Sequence, residues 1–72
     1  MEENKIKLCA MFLKVLQETE AFSDLKDLQY TRLNSCDETV TAVFEGGYKY
    51  AVNVSMDSGA AMLHDILRQL RG

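Results

Sequence analysis

Two glycines, Gly46 and Gly47, stand between two runs of alternating residues, and this junction constrains the fold more than any other part of the chain. Upstream, Glu38 to Phe44 is rich in β-branched residues and spaces Val40, Ala42 and Phe44 two apart. Downstream, Tyr48, Tyr50, Val52 and Val54 keep the same spacing. Both runs read as strands joined by a tight turn. The core then selects the loop length. A two-residue loop pairs Phe44 with Lys49 and splits the apolar set over both faces. A three-residue loop, Glu45-Gly46-Gly47, pairs Phe44 with Tyr48, Ala42 with Tyr50 and Val40 with Val52. Opposed residues share a face, and a one-residue slip turns every side chain over. The three-residue loop is therefore expected, as a type I turn followed by a left-handed Gly47.

The other elements follow from period. Residues 4 to 20 read as a helix with Ile6, Leu8, Cys9, Phe12, Leu13, Val15 and Leu16 on one side. That apolar arc spans roughly 180°, against the roughly 100° stripe of an ordinary surface helix. Most of it is expected against a sheet, with its edge at Leu8 and Val15 free to meet a second chain. Lys26 to Leu33 alternates as a first strand, and Asn34-Ser35-Cys36-Asp37 is a turn cluster. A last helix runs from about Asp57, the expected N-cap, to Leu70, with Gly59, Leu63, Ile66, Leu67 and Leu70 on one side. Gly59 suggests a close approach of that helix to the sheet.

The expected architecture is one α+β domain over residues 1–72, helix–three-stranded antiparallel meander–helix (αβββα), with both helices on one sheet face. The covered face takes Leu28, Tyr30, Val40, Ala42, Phe44, Tyr48, Tyr50, Val52 and Val54. The open face takes Gln29, Thr31, Thr39, Thr41, Val43, Lys49, Ala51 and Asn53. This order and length are similar to the double-stranded RNA-binding domain, a resemblance that covers the whole chain in topology and shares no motif. That family contacts RNA through its first helix, a Gly-Pro-x-His loop after the first strand, and a lysine cluster opening the last helix. Here the matching loop is Asn34-Ser35-Cys36-Asp37, and the matching helix start is Asp57-Ser58-Gly59-Ala60-Ala61. Phosphate binding is therefore not carried over to these positions. HicA-type toxins share the topology and use a strand histidine, whereas the single histidine here, His64, falls on a helix.

Catalytic chemistry finds little support. Nucleophilic catalysis needs Cys36 or a serine beside a base, and nothing in the sequence brings His64 to either. One histidine and two cysteines do not make an ordinary four-ligand zinc site, and no cofactor is expected. Asp24, Asp27, Asp37, Glu38 and Glu45 read as a solubilising rim. Eight Lys and Arg against 11 Asp and Glu give a net charge of −3, so nucleic acid is not an expected partner. No apolar stretch approaches the ~20 residues that span a bilayer. The acidic start is unlike a secretory signal, and cytoplasmic location is expected.

What remains is surface. The leading expectation is a small non-catalytic protein-interaction or regulatory module that associates with itself, as a homodimer or with a protein partner. Its candidate contact residues are Thr31, Thr41, Val43 and Ala51 on the open sheet face, and Leu8 and Val15 on the first helix. Strand addition at the edges of the first and third strands is another mode. A nucleic-acid-binding domain centred on Lys5, Lys7 and Lys14 is the second reading. A small acidic inhibitor of the kind mobile elements carry is the third.

Overall fold

The computed structural model describes residues 2–71, with side chains from Asn4 onward. Met1 and Gly72, the ends of the expected 1–72 domain, lie outside the described residues. The elements run α1 (Glu2–Gln17), β1 (Leu25–Arg32), β2 (Glu38–Phe44), β3 (Lys49–Asn53) and α2 (Gly59–Leu70). The strands form one antiparallel sheet in the order β1-β2-β3, so the αβββα architecture holds. Val40, Ala42 and Val52 share one sheet face and are fully buried. Cys9 and Leu16 of α1 and Met62 and Ile66 of α2 join the same cluster, so both helices lie on that face. Contacts run from α1 to β1, from α2 to β3, and between the helices.

The hairpin has the expected register. Val40 pairs with Val52 and Ala42 with Tyr50. The Phe44 amide donates to the Tyr48 carbonyl at 2.8 Å, closing a three-residue loop. The turn type differs from expectation, because both Gly46 and Gly47 have a φ of +93°. Gly47 N–H donates to the Phe44 carbonyl, which makes Gly46 the third residue of the turn. A positive φ there marks type II, so the loop uses both glycines for their backbone freedom.

Several boundaries move for local reasons. Helix α1 stops at Gln17 rather than residue 20, because the Thr19 hydroxyl donates to the Leu16 carbonyl at 2.7 Å and accepts from Phe22 N–H. Phe22 then turns back into the core. The cap of α2 is Ser58, not Asp57: Ser58 Oγ accepts from Ala61 N–H at 3.2 Å. Asp57 instead closes the preceding turn, donating its own N–H to the Val54 carbonyl. In β1 the register shifts between Leu25 and Asp27, so Lys26 is an extra, bulged residue.

The covered face is shorter than the alternation implies. Tyr48 is 78% exposed and Tyr50 47% exposed, so the cover thins along the edge strand β3 at the hairpin end, where Gln69 and Leu70 of α2 line a groove with them. Ile6 and Val15 are also exposed, so the buried arc of α1 is narrower than expected. Gly59 does mark a close approach, but to the other helix. A Cβ there would stand 2.7 Å from Leu8 Cδ1.

Candidate functional site

The open sheet face is the largest surface that the strand pattern prepares without a covering layer. Register arranges it in three rows across β1, β2 and β3. The first is Asp27–Val43–Lys49, the second Gln29–Thr41–Ala51, and the third Thr31–Thr39–Asn53. Every member of the central strand row is half-buried and uncharged. The two charges stand at opposite ends of the first row, with Val43 between them. Asp27 is held in place, since its carboxylate accepts from Leu28 N–H at 2.9 Å and from Gln29 Nε2 at 3.1 Å.

The structure places Thr31, Thr41, Val43 and Ala51 together on this face. Leu8 and Val15 are elsewhere and separate from each other in role. Leu8 packs against the core beside Gly59, so it serves the helix–helix contact within one chain. Val15 stays exposed on α1. The strand edges are partly blunted. Gln17 Nε2 donates to the Leu25 carbonyl on β1, and Gln69 Nε2 donates to the Asn53 carbonyl on β3. Together with the Lys26 bulge, these contacts lower the attraction of either edge for an added strand.

A second feature lies on the covered face, where the apolar core gives way to polar groups beneath the N-terminal ends of both helices. A cleft of about 550 Å³ is lined there by Lys5, Tyr30, Arg32, Glu38 and Asp57, among others. Glu38 was expected on a solvated rim, and it is instead only 8% exposed. Lys5 Nζ is 2.7 Å from Glu38 Oε2, and the Tyr30 hydroxyl donates to the same oxygen. Met56 N–H donates to Oε1 at 3.0 Å. The Lys5 and Tyr30 hydrogen bonds outweigh desolvation and hold the Glu38 acid down to about 2. A carboxylate so supplied with donors is a poor base. It also engages Lys5, one of the three lysines that the nucleic-acid reading needs.

The sequence did carry a signal for this cluster. Lys5 lies in line with Cys9, Phe12 and Leu16, at i+4, i+7 and i+11 on the buried side of α1. A lysine in that line either carries its ammonium out to water or meets an anion, and here it meets Glu38.

Asp57 is the second perturbed acid that lines this cleft. Its Oδ2 is buried, and no donor reaches it among the described residues. Desolvation first, then the neighbouring Asp65 carboxyl, push its acid up to about 6. A shifted acid in a cleft is a candidate for proton transfer. No histidine or cysteine lines this cleft among the described residues. Cys36 is exposed in its turn, while burial pushes the Cys9 thiol up to about 11 and leaves it inert. No group of three or more metal-ligating side chains gathers among the described residues. No helix is long and apolar enough to cross a membrane.

A third feature is a shallow groove of about 400 Å³ at the hairpin end, walled by Phe44, Tyr48, Tyr50 and Leu70. The tyrosines that alternation assigned to the core thus supply exposed aromatic surface.

No protein-family model matches the chain, and neither does a curated protein or a solved structure.

Proposed function

We propose that the chain is a small, non-catalytic, cytoplasmic protein-interaction module that associates with itself through the open face of its sheet. The observation that carries this reading is the outward row of β2. Thr39, Thr41 and Val43 form an uncharged, half-buried line with neighbours on both sides and, among the described residues, no layer above. Such a face can be hydrated, or it can accept a second flat face of the same composition. The non-catalytic part rests on the polar cleft, whose central carboxylate already accepts from Lys5, Tyr30 and Met56 and is a poor base.

Sedimentation equilibrium tests the reading, from about 10 μM to about 1 mM, a range that brackets weak protein association. Concentration-dependent dimerisation is expected, and Thr41→Lys at the centre of the face should abolish it without lowering the melting temperature. A chain that stays monomeric throughout, or a Thr41→Lys variant that dimerises as well as the parent, overturns the reading.

A further inference from the structure

We infer that the partner on the open face is a second copy related by a two-fold axis parallel to the strands, so that Asp27 of each chain meets Lys49 of the other. This inference rests on the self-association proposed above and specifies its geometry.

The argument is one of charge and position. Asp27 lies on β1 and Lys49 on β3, and both pair with Val43 on β2. They therefore occupy the two ends of one row on one face. A two-fold axis running along the strands, midway between two stacked sheets, lays β1 of one chain over β3 of its partner. Each Asp27 then faces a Lys49, twice, and Val43 faces Val43 at the centre. Thr41 faces Thr41, Gln29 faces Ala51, and Thr31 faces Asn53. No like charges oppose each other. An in-plane axis across the strands exchanges the rows instead. It sets Asp27 over Thr31 and Lys49 over Asn53, with no ion pair. The first arrangement satisfies both charges and the second satisfies neither. An isologous interface requires such reciprocity, in which residue i meets j and j meets i.

The side chains fit the role. Asp27 is fixed by Leu28 N–H and Gln29 Nε2, one bond to each oxygen. An ionised carboxylate offers about four lone-pair sites, so each oxygen keeps one for a lysine. Lys49 is exposed. The strands of aligned stacked sheets lie within about 30° of each other, which a strand-parallel axis accommodates.

The size of the face sets the strength. Strands about 4.8 Å apart, rising about 3.3 Å per residue, give a face of roughly 300 Å². A stable interface buries about 800 Å² per partner, so this smaller face makes a weak, rapidly exchanging dimer.

The experiment is a charge-swap cycle on the intact chain. Asp27→Lys alone sets lysine against lysine at both contacts, and Lys49→Asp alone sets aspartate against aspartate. Each single variant should self-associate about tenfold more weakly or worse at low salt. Mixed together, the two variants restore opposite charges at both contacts and should form a heterodimer at least as tight as the parent dimer. Added salt should erode that preference. Sedimentation and chemical shift titration of Val43 both read the outcome. Parent dimers that Thr41→Lys breaks, but that the swaps leave unaltered, overturn the two-fold arrangement and leave self-association standing. A parent monomeric at about 1 mM overturns both.

Discussion

Lys5 Nζ stands 2.7 Å from Glu38 Oε2, tying the start of α1 to the first residue of β2. Glu38 is also where the turn after β3 is fastened. Its backbone N–H donates to Ser55 Oγ, its carbonyl accepts from Val54 N–H, and its second carboxylate oxygen accepts from Met56 N–H. One side chain thus joins the leading helix, the sheet and the approach to α2.

Removing that charge should be costly. Glu38→Gln keeps the shape but leaves the Lys5 ammonium under the helix without its counter-charge. Breaking one partner of a fully buried pair costs about 3 kcal/mol, and the cleft that Lys5 and Glu38 line lets water screen part of this, so a loss of about 1–3 kcal/mol is expected. The urea midpoint is expected to fall accordingly, with the slope unchanged. A loss below about 1 kcal/mol would mean that the pair is solvated and structurally idle.

The pH dependence of stability should have a maximum on the acid side of neutrality, because Glu38 and Asp57 pull in opposite directions, while Asp65, held below the usual carboxylate range first by its hydrogen bond with Asp57 and then by Arg68, acts in the same sense as Glu38. Glu38 ionises near 2 when folded, against an ordinary 4.5. Its contribution is complete above about 4.5 and is lost as pH falls toward 2. Asp57 ionises near 6 when folded, against an ordinary 3.8. Between those values the folded chain holds more protons than the unfolded one, so stability falls as pH rises through that window. Asp57→Asn should remove the fall and exceed the parent's stability at about pH 7. Urea midpoints from about pH 3 to about pH 8 measure this. A parent that is more stable at about pH 7 than at about pH 4.5 contradicts it.

The legible and illegible parts of this fold divide on physical grounds. Strand pairing was readable because Val40, Ala42, Val52 and Val54 share a face only in registers of one parity, and the tight turn at Gly46-Gly47 selects one of these. The open face was readable for the same reason, since fixing Val40 inward fixes Thr41 and Val43 outward. Glu38 was not, because a glutamate at a strand start beside a turn is ordinarily solvated, and only the position of Lys5 on α1 argues otherwise. The exposure of Tyr48 and Tyr50 depends on where the helices end over the sheet, which alternation does not encode. Leu8 is kept within the fold by Gly59 of α2, 51 positions away, so no local pattern reports it.

Met56 is strained and solvent-facing. It has a φ of +66° as the third residue of the turn from Val54 to Asp57, and is 78% exposed. The left-handed region costs an L-residue about 1–2 kcal/mol, of which glycine returns part through its own entropy. With little side-chain packing to lose, Met56→Gly should stabilise the chain by about 0.5–1 kcal/mol in urea unfolding. A destabilised variant would show that the methionine side chain supports the turn in a way its exposure does not reveal.

The hairpin glycines should behave in the opposite sense. A Cβ at Gly46 or Gly47 would meet nothing within 4 Å, so no clash opposes alanine at either site. The obstacle is the backbone, which holds φ at +93° in both. Alanine at either position should therefore cost about 1–2 kcal/mol from conformation alone. The chain cannot escape by changing loop length, because a one-residue slip would turn Val40 and Val52 out of the core. The strain must stay local, at the bond from Phe44 N–H to the Tyr48 carbonyl. Gly47→Ala should accordingly lower the urea midpoint and speed hydrogen exchange at the Phe44 amide, while the Val40 amide opens only with global unfolding. Equal acceleration at both amides beyond the global loss would mean that the register itself had moved.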